Sequence, residues 1–140
     1  MTPAQRLRLV ANMLNASTLL GWLLARFARC SVRAGPRGLL IATGYGWRLP
    51  FARAFAVGNV VLFRCGAGKV ADQPHLLEHE ERHSTQYAWC LGLPFFPLYF
   101  LAAGWSLVRT GNAGSGNIFE RLAGLESGGY PETEMRHHHD

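Results

Sequence analysis

Apolar residues recur at three/four spacing through the start of the chain, as Val10, Met13, Leu14, Leu20, Leu23, Leu24 and Phe27. That spacing predicts helix over 3–29, with Asn15 or Ser17 capping a second helical segment. Gly35-Pro36-Arg37-Gly38 breaks the pattern. Beyond it come short runs of β-formers, Leu39 to Thr43, Phe55 to Val57 and Val60 to Phe63, and Trp47-Arg48-Leu49 resumes pairing. Gly58-Asn59 between two such runs is a two-residue hairpin signal. Together they predict a small antiparallel sheet of about three strands over 38–64.

Gly66-Ala67-Gly68-Lys69 reads as a loop and lacks the spacing of a phosphate loop. Asp72 is the expected N-cap of a helix from about 73 to 91, with Pro74 in its first turn. Tyr87 to Val108 then holds 22 residues without a charge, long enough for a membrane span. Gly92, Pro94 and Pro97 instead predict a turn, followed by an apolar helix from Leu98 to Arg109. Both readings stand at this level. Asn117-Ile118-Phe119-Glu120 opens a short helix to about Leu125, and the tail from Ser127 reads as polar and disordered. The class is α+β: an N-terminal helical segment over 1–34, a core over 35–127 and a tail over 128–140.

Composition adds a location. The chain has 140 residues, 49% of them apolar, which suffices for one domain with a real core. Its net charge is +5, carried by arginines and the single Lys69 that bracket apolar runs. That arrangement favours an anionic membrane surface or a membrane protein complex as partner, and excludes nucleic acid. The expected location is the cytoplasmic side of a membrane, peripheral or partly embedded. Leu9 to Ala25 is a poor span, because Asn12, Asn15, Ser17 and Thr18 interrupt it. It is also a poor signal peptide, because Arg26-Phe27-Ala28-Arg29 is no cleavage site. Three scattered cysteines, Cys30, Cys65 and Cys90, argue against a disulfide framework and for a reducing compartment.

The chemistry concentrates in His79-Glu80-Glu81-Arg82-His83, an H-E-x-x-H on a predicted helix. Residues four apart share a helix face, so both imidazoles can reach one ion, with Glu80 beside them as a general base. A chance match in this composition is expected only about 0.01 times. The bland reading is a solvated charged face supported by an i,i+4 pair, Glu78 with Arg82. A zinc site of this kind needs a third protein ligand. Glu120 is the best candidate, provided the chain turns at Gly92–Pro97 and brings it back. Glu120 also fits a capping box with Asn117. Glu126 and His75 are weaker ligands, and Tyr45 or Tyr87 could assist an oxyanion. His137, His138 and His139 in the tail could bind stray metal.

Residues 76–87, Leu-Leu-Glu-His-Glu-Glu-Arg-His-Ser-Thr-Gln-Tyr, and Asn117-Ile-Phe-Glu120-Arg-Leu-Ala resemble zincin-like actinobacterial proteins of unknown function. These carry an H-E-x-x-H-x-x-Q-Y helix and a later N-P-F-E-x-x-A helix. Phe95 to Trp105 and Val57 to Val61 extend the resemblance over most of 38–130. It implies a minimal gluzincin-like fold, zinc ligands His79, His83 and Glu120, and Glu80 as base. The charged Glu81-Arg82 and Ile118 depart from that pattern.

The expected function is a zinc-dependent, metallopeptidase-like hydrolase at or near the membrane surface. It would hold one Zn2+ per chain and take an extended peptide along an edge strand of 38–64. The alternative is a non-catalytic membrane-associated accessory or structural protein, its H-E-x-x-H vestigial or structural.

Overall fold

The structure is a computed structural model that describes residues 1–48, 50 and 52–124. The N-terminal helical run is two helices, α1 (Pro3–Leu14) and α2 (Ser17–Phe27), bent by 71°. Thr2 and Gln5 close a capping box on α1. At the elbow Ala16 is left-handed, and Asn15 Oδ1 accepts the Ser17 N–H at 3.0 Å. Both helices turn small or polar side chains inward: Arg8 and Asn12 from α1, and Ser17, Thr18, Gly21 and Ala25 from α2. The predicted apolar stripe therefore faces outward, and only Leu24 of it packs on the core.

Four strands follow: β1 (Ser31–Ala34), β2 (Leu40–Thr43), β3 (Ala54–Val57) and β4 (Val60–Phe63), in the order β1-β2-β4-β3. The expectation of an antiparallel sheet is corrected here, because the sheet is mixed. β1–β2 and β3–β4 are antiparallel, but β2 pairs β4 in parallel, Leu40 opposite Val60 and Thr43 opposite Phe63. The long connection from β2 to β3 lets β4 insert beside β2, leaving β3 at the edge. β1 is a strand the pattern did not predict. Val32 is its only large apolar residue, so no alternation marks it. Trp47 and Arg48 lie outside any strand, and Leu49 lies outside the described residues.

β4 is fully buried and divides the core. Val61 and Phe63 face Ile41, Leu39 and Leu76 on one side, while Val60 and Leu62 face Ala42, Tyr45, Ala25 and Ala28 on the other. The period-2 alternation of one strand thus joins two helical layers, α2 and the motif helix. The predicted Gly58-Asn59 turn is present, with Val57 opposite Val60. Gly58 needs to be glycine twice over. Its φ is +62°, and a Cβ there would lie 2.4 Å from the Thr18 backbone nitrogen. Asn59 is fully buried and ties the turn to α1, donating to the Leu9 carbonyl and accepting from Asn12.

Residues 66–69, expected as a loop, fall largely in one helical turn, α3 (Ala67–Val70). The motif helix is α4 (Pro74–Trp89), whose N-cap is Gln73 rather than Asp72, with Pro74 in the first turn as expected. The uncharged 87–108 segment is not one continuous helix. α4 stops at Trp89, the chain turns through left-handed Leu91 and Gly92, and α5 (Phe95–Thr110) follows. α5 starts three residues before the predicted Leu98. Pro97 falls in its first turn, where a missing N–H costs no intrahelical bond. Among the described residues no single helix is long and apolar enough to cross a membrane; α1 and α2 pass such a test only together, across their bend. The last described element is α6 (Ile118–Ala123), opened by Asn117. The tail, with Glu126 and His137 to His139, lies outside the described residues.

Candidate metal centre

α4 carries His79, Glu80 and His83 into the interior, and α6 brings Glu120 to them; all four are buried. Glu120 Oε2 lies 2.8 Å from His79 Nε2 and 3.2 Å from His83 Nε2, and the two Nε2 atoms are 3.1 Å apart. The three residues predicted as ligands thus form one group able to hold a metal ion.

The opposite ring nitrogens fix the tautomers. His79 Nδ1 is 2.8 Å from the Gly124 carbonyl oxygen, which can only accept, so Nδ1 carries the proton. His83 Nδ1 is 2.7 Å from Gln86 Oε1, and the Gln86 amide nitrogen donates to the Phe119 carbonyl at 2.8 Å. The amide is thereby oriented with its oxygen toward His83, and that Nδ1 also carries the proton. With the imidazoles neutral, both Nε2 atoms then present lone pairs to each other and to a carboxylate. Such a cluster is satisfied by a cation. Four-coordinate zinc with bonds of ~2.1 Å spaces its donors about 3.4 Å apart, a little more than the observed separations. A carbonyl or amide oxygen behind each imidazole is the usual support of a metal-bound histidine.

With no metal bound, protons take the place of the cation, carried on the Nε2 atoms toward Glu120. Burial acts to raise the Glu120 carboxyl, but hydrogen bonds from His79, His83 and Tyr99 outweigh it and hold the group at about 2. Burial acts to lower His83, yet its hydrogen bond to Glu120 and the nearby carboxylates keep it above the ordinary imidazole value. Glu80 differs from Glu120. Burial pushes it up to about 7, against the pull of His83 and His79 and a hydrogen bond from the Ala56 backbone. It stands beside the donor group without belonging to it. Two carboxylates in one site therefore have opposite tendencies, one fixed as an anion and one poised to exchange a proton near neutrality.

Several residues hold this arrangement that the sequence did not single out. α4 grips the α6 segment at three carbonyls: Gln86 to Phe119, Arg82 to Ala123 at 2.8 Å, and His79 to Gly124. Tyr99 of α5 donates to Glu120 Oε1. Asn117 caps α6 through the Phe119 N–H, but Glu120 faces the histidines rather than completing a capping box. The charged pair inside the motif also has work. Arg82 holds α6 instead of forming a simple pair with Glu78. Glu81 binds Arg8 of α1 at 2.7 Å and Arg37 at 2.6 Å. Of the other candidates, His75 is exposed beside Glu78 and apart from the cluster. Tyr45 packs on Phe55, and Tyr87 on Phe95; the tyrosine that reaches the cluster is Tyr99.

Gln86 is the joint of the centre, since one amide orients His83 and docks the helix bearing Glu120. Gln86→Ala should weaken the affinity for a divalent metal about 10- to 100-fold, the usual effect of losing such a support. Competition with a chromogenic chelator measures it, and an unchanged affinity would remove Gln86 from this role. No family model, no curated protein and no solved structure matches the chain, so what the centre does is read from its own residues.

Proposed function

We propose that the protein is a zinc-dependent hydrolase of metallopeptidase type, with His79, His83 and Glu120 as ligands and Glu80 as general base. One observation carries this reading: three protein donors converge while a fourth carboxylate, Glu80, stands beside them unused as a ligand. Structural zinc sites close with four protein ligands, whereas three leave a position for chemistry. Zinc held there would supply a Lewis acid that activates water and polarises the scissile carbonyl. Glu80 takes the proton of the attacking water and delivers it to the leaving amine, from a buried position beside the donor group. Tyr99, bound to Glu120, keeps that ligand turned to the histidines. β3, at the sheet edge and packed on α4, is the strand along which an extended peptide would lie.

The burial of all four side chains favours a second reading, a non-catalytic accessory protein with a structural metal site. Glu80→Gln separates the two. The variant should keep its zinc while cleavage of a peptide library falls about 100- to 10,000-fold, the contribution of a general base. Equal cleavage by variant and parent would refute the hydrolase reading, and a zinc-loaded parent that cleaves nothing would favour the second.

A further inference from the structure

Helices α1, α2 and α5 are built with their polarity reversed for a water-soluble domain. Inward they present Arg8, Asn12, Ser17, Thr18, Gly21 and Ser106, with Phe95 the one large apolar side chain fully buried among them. Outward they present large apolar residues, among them Leu14 (83% exposed), Phe27 (73%), Leu101 (72%), Phe100 (66%) and Val108 (61%). Small and polar residues between helices with large apolar ones outside is the distribution of helices that meet lipid. The elements that carry these exposed faces approach one another at two places. The α1–α2 elbow touches the turn after α4, where a Cβ on Gly92 would lie 2.7 Å from the Asn15 side chain. Leu24 of α2 and Phe96 of α5 pack against the same core cluster. Leu91 and Leu93, in the turn that leads into α5, are exposed as well.

Within these three helices the charged side chains have one sign, and one device is repeated. None of the three helices contains an acidic residue. α2 and α5 each end in Trp-x-x-x-Arg, with the guanidinium over the indole: Arg26 at 5.5 Å from Trp22, and Arg109 at 4.3 Å from Trp105. Both indoles are about half exposed. Tryptophan and arginine side by side match the headgroup level of a bilayer, where the ring lies among the glycerols and the cation meets lipid phosphate. The longest of the three helices has 16 residues. That is about 24 Å, short of the ~30 Å hydrocarbon core.

We propose that α1, α2 and α5 form a docking face for an anionic lipid bilayer, lying in its surface with the two Arg–Trp pairs at headgroup level. A second copy of the chain fits less well, since it would set two arginine rims of like sign against each other. The face does not depend on the metal reading.

The test is sedimentation of the full chain with phosphatidylcholine vesicles, either neutral or containing about 30% phosphatidylglycerol. The protein should partition onto the anionic vesicles at least about tenfold more strongly than onto neutral ones, an advantage that salt reduces. Leu14→Glu with Leu101→Glu, both at exposed positions, should lower that binding at least about tenfold while the melting curve is unchanged. In the unaltered protein, vesicles with brominated acyl chains should quench tryptophan fluorescence, a readout that needs no variant. Wild-type protein left in the supernatant with both vesicles, equal binding to both, a double variant that binds like wild type, or absent quenching would each overturn the proposal. A wild-type dimer that the double variant splits, with no vesicle binding, would assign the face to a second copy and also overturn it.

Discussion

His83→Ala should abolish stoichiometric zinc. One zinc per chain is expected in protein whose His137, His138 and His139 are replaced by Ala, so that the tail contributes none, and elemental analysis should find only traces in the same protein carrying His83→Ala. His83 supplies one of three donors that meet within 3.2 Å, and no described side chain stands ready to take its place. Binding energy in such a site is also folding energy. A chelator should therefore lower the melting temperature of the parent and leave that of the variant where it is. His75→Ala provides the contrast: His75 is four residues before His79, yet exposed and outside the cluster, so zinc content should not change. Stoichiometric zinc in His83→Ala would refute this ligand set.

The second large effect is on stability, at Glu81→Leu. Glu81 accepts from Arg8, which is 4% exposed and also donates to the Arg37 carbonyl. Removing the carboxylate leaves the Arg8 charge buried without its counter-ion. Such single removals cost about 3–5 kcal/mol, a large part of the ~5–15 kcal/mol that holds a domain together. Arg37 is more exposed, so its share of the ion pair is small. Replacing both partners, Arg8→Met with Glu81→Leu, should recover most of the loss, because neither charge is then stranded. Urea midpoints of the three proteins decide it. A double variant as unstable as the single one would mean that packing, not charge, is what Glu81 contributes.

Much of the centre was legible because its signals are local. Spacing puts His79 and His83 on one helix face, Gly58-Asn59 makes its turn, and Asn117 opens the helix that carries Glu120. Gly92 and Pro94 divide the apolar run as their backbone chemistry requires, although Pro97 was tolerated inside a first turn. What could not be read was set by contacts between distant residues. The parallel pairing of β2 with β4 leaves no mark on either strand. β1 has too few apolar residues to alternate. The inward faces of α1 and α2 are polar, so a rule that sends apolar residues to the core picks the wrong side of both helices. Glu81 and Arg82 looked like a blemish in the motif; their partners, Arg8 and the Ala123 carbonyl, are more than 40 residues away in the chain.

The Gln86 bridge has a consequence for how such a sequence can drift. The side chain must accept at one end, from His83, and donate at the other, to the Phe119 carbonyl. An acid of the same length cannot donate, and an amine cannot accept. A lineage that loses the amide must at the same time find another way to turn the imidazole and another way to seat α6. Position 86 is therefore bound to its two partners, and variation there arrives in concert or not at all.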